Sequence, residues 1–323
     1  MSHKTKSGAR SSSLTPLFPH ASSMPPASDP LAARYDIEEG LRFEQHGVLD
    51  SALAHYERAA RTTKDAALIS EAFRRQSSIH RTRCEWELAI ACAERAIAAA
   101  REARLDDLHS EALSALAAVH RSRGDLDDAE VMLEGALRLA HDERVRGIIL
   151  QNLGGVAAEK RDLEAAQHKF VESYGCFRRS GYRRGEAFAL NNYGRVLLEG
   201  GQEAQAARVL AQAGAIARDV EDEELVALAT LNVAETLYLV GDLTNAESHV
   251  SEALGYFNHT QNAWRQIECL RLLGDITVKA QELATAVQCY VRGMQLALRI
   301  GARQEMTVLA ECLTKVRPLL GAV

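Results

Sequence analysis

Alanine at positions 52, 89, 129, 166, 206, 246 and 286 opens the same short pattern seven times. Four residues later comes an apolar side chain, and three after that a small one. The successive pairs are Tyr56 and Ala59, Ala93 and Ala96, Leu133 and Ala136, Phe170 and Ser173, Leu210 and Ala213, Val250 and Ala253, and Tyr290 and Gly293. The steps between leading alanines are 37, 40, 37, 40, 40 and 40 residues. Self-similarity at such a period restricts the chain to an array of supersecondary units, each burying its apolar face against its neighbours.

Twelve residues before each alanine stands a second small residue: Gly40, Ser77, Ala117, Gly154, Gly194, Ala234 and Gly274. Each unit therefore reads as two antiparallel helices. Helix A carries the first small residue, and helix B starts near the acidic residue before the alanine. Asp125, Asp162 and Asp242 stand where a side chain caps helix B or favours its dipole. Small residues at the two positions let the helices approach closely. This accounts for Gly194 in "LNNYGRVLLEGG", where glycine costs about 1 kcal/mol against alanine in a helix interior.

Proline supports the all-helical reading. Five of the six prolines lie at or before Pro30, and the other is Pro318. Residues 1–30 are rich in Ser and Pro and poor in apolar residues, and are expected to form a disordered arm. Lys4, Lys6 and Arg10 imitate the start of a signal peptide, but no apolar core segment follows. No later run has the length of a membrane span. Cys84, Cys92, Cys176, Cys269, Cys289 and Cys312 show no paired short spacing and read as free thiols of a cytoplasmic protein, which makes the sequon at Asn258 incidental. A net charge of −6 gives no reason to expect direct nucleic-acid binding.

The pattern resembles that of the tetratricopeptide repeat family: a small residue at motif position 8, Ala at 20, an aromatic or aliphatic residue at 24 and Ala at 27, over residues 33–302. The family's unit is about 34 residues, so the 40-residue steps resemble the longer repeats of bacterial regulatory members. The second unit is irregular, with Gln76 and His80 at positions that are normally apolar. The resemblance implies an all-α, right-handed superhelix of about seven hairpins over residues 31–302. Residues 303–323 then supply a capping helix and tail. Met306, Leu309, Leu313 and Val316 give the cap its apolar stripe, and it is expected to end before Pro318.

The same resemblance places a ligand groove on the concave side, lined by positions 2, 5, 6, 9, 12 and 13 of helix A. Position 6 is Asn152, Asn192 and Asn232 in three consecutive units, with Asn191 beside them at position 5. An amide offers donor and acceptor together, which suits holding a peptide backbone irrespective of its side chains. The alternative is that these amides bond to the neighbouring repeat or face water. Arg74, Arg75, Arg81 and Arg121 make the early groove read as cationic, flanked by Glu71 and Ser78. Further along, Phe188, Arg195, Glu199, Glu235 and Tyr238 follow, then Arg271, Asp275 and Lys279. The family's carboxylate-clamp pattern is not matched in any three consecutive units. A second basic cluster, "RRSGYRRG" at 178–185, reads as a solvated helix connection, with a phosphate or acidic-partner site as the alternative.

No phosphate loop, zinc motif, nucleophile elbow or calcium loop occurs, so neither catalysis, a metal nor a cofactor is expected. The expected role is a non-enzymatic scaffold or adaptor that binds an extended peptide or partner helix in the groove. The alternative is a regulatory peptide sensor whose superhelical pitch changes on binding and controls a partner such as a transcription regulator.

Overall fold

The computed structural model describes residues 28–320, and residues 1–27, with most of the expected arm, lie outside them. Pro30, read as the end of that arm, is instead the first residue of a helix. Asp29 caps it, accepting from the N–H groups of Leu31 and Ala32 at 3.1 and 3.0 Å, and its own N–H donates to the Thr62 carbonyl.

Fifteen helices follow one another among the described residues. The A helices are α1 (Pro30–Gln45), α3 (Ala66–Thr82), α5 (Asp106–Arg123), α7 (Glu143–Glu159), α9 (Arg183–Glu199), α11 (Glu223–Val240) and α13 (Ala263–Lys279). The B helices are α2 (Leu49–Thr62), α4 (Trp86–Ala103), α6 (Leu126–Leu139), α8 (Leu163–Ser180), α10 (Glu203–Asp219), α12 (Leu243–His259) and α14 (Leu283–Ile300). The last helix, α15 (Arg303–Leu320), caps the stack with Leu309 and Val316 buried against Ile267, Tyr290 and Ala297. It runs on through Pro318 rather than stopping before it. Proline removes one N–H near the end of a helix, where little intrahelical bonding remains to be lost.

The small-residue positions work by pairing with a large one sixteen residues on. A methyl group at Gly274 would come within 2.3 Å of the Tyr290 ring. At Gly40 it would meet Tyr56 at 2.5 Å, at Gly154 Phe170 at 2.8 Å, and at Gly194 Leu210 at 2.5 Å. Glycine thus stands where helix B sends a ring or a leucine into helix A. Ser77 faces a unit whose corresponding residue is Ala93, and its hydroxyl donates to the Ala89 carbonyl at 2.8 Å.

All seven A-to-B turns share one geometry. A residue with positive φ sits in each: Gly47, Cys84, Gly124, Arg161, Gly201, Gly241 and Gln281. The next residue's N–H returns to the carbonyl five positions earlier, as in Asp242 to Leu237 and Glu282 to Thr277. Asp162 and Asp242 then cap the B helices as expected. Asp125 holds the N-cap position of α6 without a capping bond, because its carboxylate pairs with Arg123 at 3.2 Å.

The two 37-residue steps have a local cause. Helices α2 and α6 are 14 residues long, against 17 or 18 for the other B helices, and the turns after them contain no positive φ. Thr63 and Ala140 leave those helices in extended conformation instead.

Each A helix packs on its own B helix and on the next A helix, from α1 on α3 to α13 on α15, whereas the backbones of neighbouring B helices stay apart among the described residues. Helix α10 reaches α8 through a long side chain, with Gln212 Nε2 donating to Tyr174 Oη at 3.1 Å. A stack whose A helices are in mutual contact while the B helices fan apart must curve with the A helices inside. The result is an all-α superhelix whose concave wall is the row of A helices.

Candidate functional site

The concave wall holds two adjoining cavities. The first lies over α3, α5 and α7 and is lined by Glu71, Arg74, Arg75, Ser78, Arg81 and Asn152 among others. The second is lined by Arg121, Asn152, Asn192 and Arg195 from α5, α7 and α9, with Arg265 of α13 and Gln304 of α15 joining them from the far end of the stack. The superhelix therefore winds far enough for its last repeats to face its middle ones. Asn152 borders both cavities.

The three stacked asparagines are not equivalent. Asn232 is 4% exposed, and its Nδ2 donates to Oδ1 of Asn191, also 4% exposed, at 2.8 Å. Asn152 Nδ2 donates to Ser114 Oγ at 3.0 Å in the same register, from position 6 of one A helix to position 5 of the preceding one. These two amides stitch consecutive A helices together, so the expectation of three like groups open to the groove is corrected for Asn232 and Asn191. Burial explains the change: an amide enclosed between helices must find a partner there. Asn192 is half-buried, has no hydrogen-bond partner among the described residues, and lines the second cavity beside Asn152.

The early groove is not cationic, which corrects a second expectation. Arg74 pairs with Glu111 at 2.6 Å and Arg75 approaches Glu71 at 3.8 Å. Asp107 and Asp142 line the same wall as Arg144 and Arg81, so that four carboxylates and four arginines border this cavity. Glu111 sits on the neighbouring helix α5, out of reach of a reading within α3, whereas Glu71 lies one turn before Arg75 on the same helix. Arg81 itself has no acidic partner. Its Nη1 donates to Ser122 Oγ at 3.3 Å, and burial together with the nearby Arg121 charge lowers its pKa.

The second cavity carries the cationic excess instead. Four arginines line it, Arg121, Arg161, Arg195 and Arg265, against Glu159 and Glu199. Arg121 is tied to Glu159 at 2.8 Å, Arg195 approaches Glu199 at 3.7 Å, and Arg265 pairs with Glu268 at 2.7 Å. Next along the wall, burial raises the pKa of Glu235, an effect that Arg271 and Arg195 oppose and that Glu268 and Glu199 reinforce. No hydrogen-bond partner meets its carboxylate among the described residues. Arg271 and Asp275 are paired at 3.4 Å, and Asp275 also accepts from Tyr290 Oη at 2.7 Å, so that couple is internally satisfied. Lys279 lies over the Tyr238 ring at 4.2 Å and donates to its carbonyl.

The basic cluster at 178–185 is accounted for by acids: Arg179 by Glu143 at 2.8 Å, Arg183 by Glu186 at 2.8 Å and Asp219 at 3.4 Å, and Arg184 by Asp222. Arg178 lies near the Tyr174 ring. Three of the four arginines are thus engaged by acids, and Arg178 alone has no carboxylate partner among the described residues.

Arg265, Gln304 and Gly155 were missed from sequence. Arg265 and Gln304 reach the cavity only through superhelical winding. Gly155 had a visible signal, since it follows Gly154, yet only one of the pair is needed for the contact with helix B.

No protein-family model matches the sequence, and no curated protein matches it. Solved structures do match in fold. A plasmid's Rap conjugation gene regulator, solved in complex with a peptide, superposes with a TM-score of 0.66 at 18% identity, covering 85% of this chain and 76% of that one. Aspartyl phosphate phosphatase F from Bacillus subtilis gives 0.65 at 15% identity, over 82% and 70%. A signal transduction ATPase with a tetratricopeptide repeat sensor from Pyrococcus horikoshii gives 0.61 at 17% identity, over 90% and 48%. At such identities the likeness is one of fold, and the fold is the tetratricopeptide-repeat superhelix.

Proposed function

We propose that this superhelix is a non-enzymatic adaptor that binds an extended peptide or a partner's helix along its concave wall. The observation that carries the reading is the second cavity, where Asn152, Asn192, Arg121 and Arg195 converge on one groove. Amides and guanidinium groups in a concave, part-buried setting suit the backbone and charged groups of a peptide. The acid–base groups in that cavity's lining are Glu159 and Glu199, and both are engaged by arginines, which is why catalysis is left out of the proposal. The similar plasmid regulator, solved with a peptide bound, supports the same class of ligand.

The double variant Asn152→Ala, Asn192→Ala is expected to lose peptide capture in a pull-down while remaining folded. The stability lost with the Asn152–Ser114 bond, about 1 kcal/mol, is controlled for by Ser114→Ala, which is expected to keep capture. Asn232→Ala is expected to behave differently. It strands the Asn191 carbonyl, lowering stability by about 1–3 kcal/mol in denaturant titration. Capture that survives the double variant removes the groove from consideration.

A sensor reading has one specific support. Because α13 and α15 contribute to the same cavity as α5, a ligand seated there touches both halves of the winding and so biases its pitch. Small-angle scattering with and without bound peptide tests it: a sensor changes its radius of gyration, and a passive adaptor does not.

A further inference from the structure

Two adjacent glycines on α7 do different jobs. Gly154 makes room for the Phe170 ring, as described above. Gly155 faces the other way, and a methyl group there would lie 3.0 Å from Nη1 and 3.2 Å from Cζ of Arg121. The Arg121 guanidinium, sent across from α5, therefore rests on a bare patch of α7. One turn further on, Glu159 Oε1 accepts from its Nε at 2.8 Å and fixes the plane. The two terminal nitrogens, Nη1 and Nη2, have no partner among the described residues.

Forty residues earlier, Arg81 occupies the corresponding place on α3. It too has no carboxylate partner, and Arg121 is the charge that bears on it. Arginine on a helix surface is ordinarily solvated and mobile. Here one guanidinium is seated on a glycine and clamped at one edge, its other edge left open, with a second positive charge close by. The cavity beside it already has more arginine than carboxylate. Glu159 engages this guanidinium along its Nε edge only; what stays open is a fork of two parallel N–H groups, which matches a carboxylate.

We propose that Arg121, seated on Gly155 and assisted by Arg81, forms a carboxylate-binding subsite within the groove, so that the peptide ligand presents either an acidic side chain or its C-terminal carboxylate at this point. The proposal rests on the groove-binding reading and specifies its ligand. Asn152 and Asn192 hold main chain on one side of the subsite, and Arg121 reads charge.

The test is fluorescence polarisation with three matched pools of labelled octapeptides of randomised sequence. One pool contains a glutamate and an amidated C-terminus. The second has glutamine in its place with a free C-terminal carboxylate. The third has glutamine and the amide. One or both charged pools are expected to bind the full chain at least about tenfold more tightly than the neutral pool, and which one does so identifies the source of the carboxylate. Arg121→Gln is expected to reduce that preference to within about twofold. Gly155→Ala, which displaces the guanidinium while retaining its charge, is expected to lose part of the preference. Equal binding of all three pools, or a preference that survives Arg121→Gln, overturns the subsite and leaves groove binding standing. Absence of binding by every pool overturns both.

Discussion

A single missing methyl group recurs as the means by which this chain brings its helices together. The ring of Tyr290 occupies the space a side chain at residue 274 would need, so Gly274→Ala forces the ring or the helix axis to move. Overpacking of this kind is expected to cost about 1–3 kcal/mol, read as a fall in the denaturant midpoint. Gly255 is the control: it lies exposed on α12 with nothing within 4 Å, and Gly255→Ala is expected to raise stability by about 0.5–1 kcal/mol. Charge gives a second residue-scale prediction. Burial first of all holds the Glu235 carboxyl above its ordinary value of 4.5, against the pull of Arg271 and Arg195. The folded state therefore binds that proton more tightly than the unfolded chain does. The stability this contributes is present below pH 4.5 and is lost as pH rises through the folded-state value. Glu235→Gln is accordingly expected to melt higher than the parent at pH 7, with the difference closing as the pH approaches 4.

Among elements, the turns are more uniform than the residues that build them. Seven A-to-B connections adopt the left-handed conformation at one position, yet only four have glycine there; Cys84, Arg161 and Gln281 adopt it with a side chain. A side chain in that region is disfavoured by about 1 kcal/mol, so Gln281→Gly is expected to stabilise by about 0.5–1 kcal/mol and Gly241→Ala to destabilise by a similar amount. Thermal melts of the pair, run together, check the sign of each. Hairpin existence was legible because the glycine–ring and alanine spacings fall within one unit. The exact turn residue was not, since three turns are imposed by packing on sequences that do not ask for them. The short steps belong to this scale too: the repeat interval read from sequence was right, but only the structure assigns the difference to α2 and α6.

For the whole molecule, neighbour-only packing sets how stability is distributed. The largest apolar cluster runs from Ala187 to Ile276 across α9 to α13, whereas the first hairpin buries Ala33, Ile37, Ala52 and Tyr56 in a smaller group. Each interior unit is supported on both sides and the first described one on one side. Amide hydrogen exchange is expected to show α1 and α2 opening first and α9 to α12 protected longest, with protection falling towards α3 rather than in a single step. Uniform protection along the stack would mean that the array behaves as one cooperative unit.

The sequence alone determined that this chain is a row of helical hairpins, which small residues let their helices approach, and that a final helix covers the open end. These are contacts at short, fixed separations, so periodicity records them. Tertiary structure decided the character of the hollow side. It enclosed Asn232 with Asn191, matched Arg74 with Glu111, moved the unbalanced positive charge to Arg121 and its neighbours, and brought Arg265 and Gln304 across from the far end. Those relations depend on the rotation between successive units summed along the stack. That sum is set by how the faces fit rather than by any local pattern of residues.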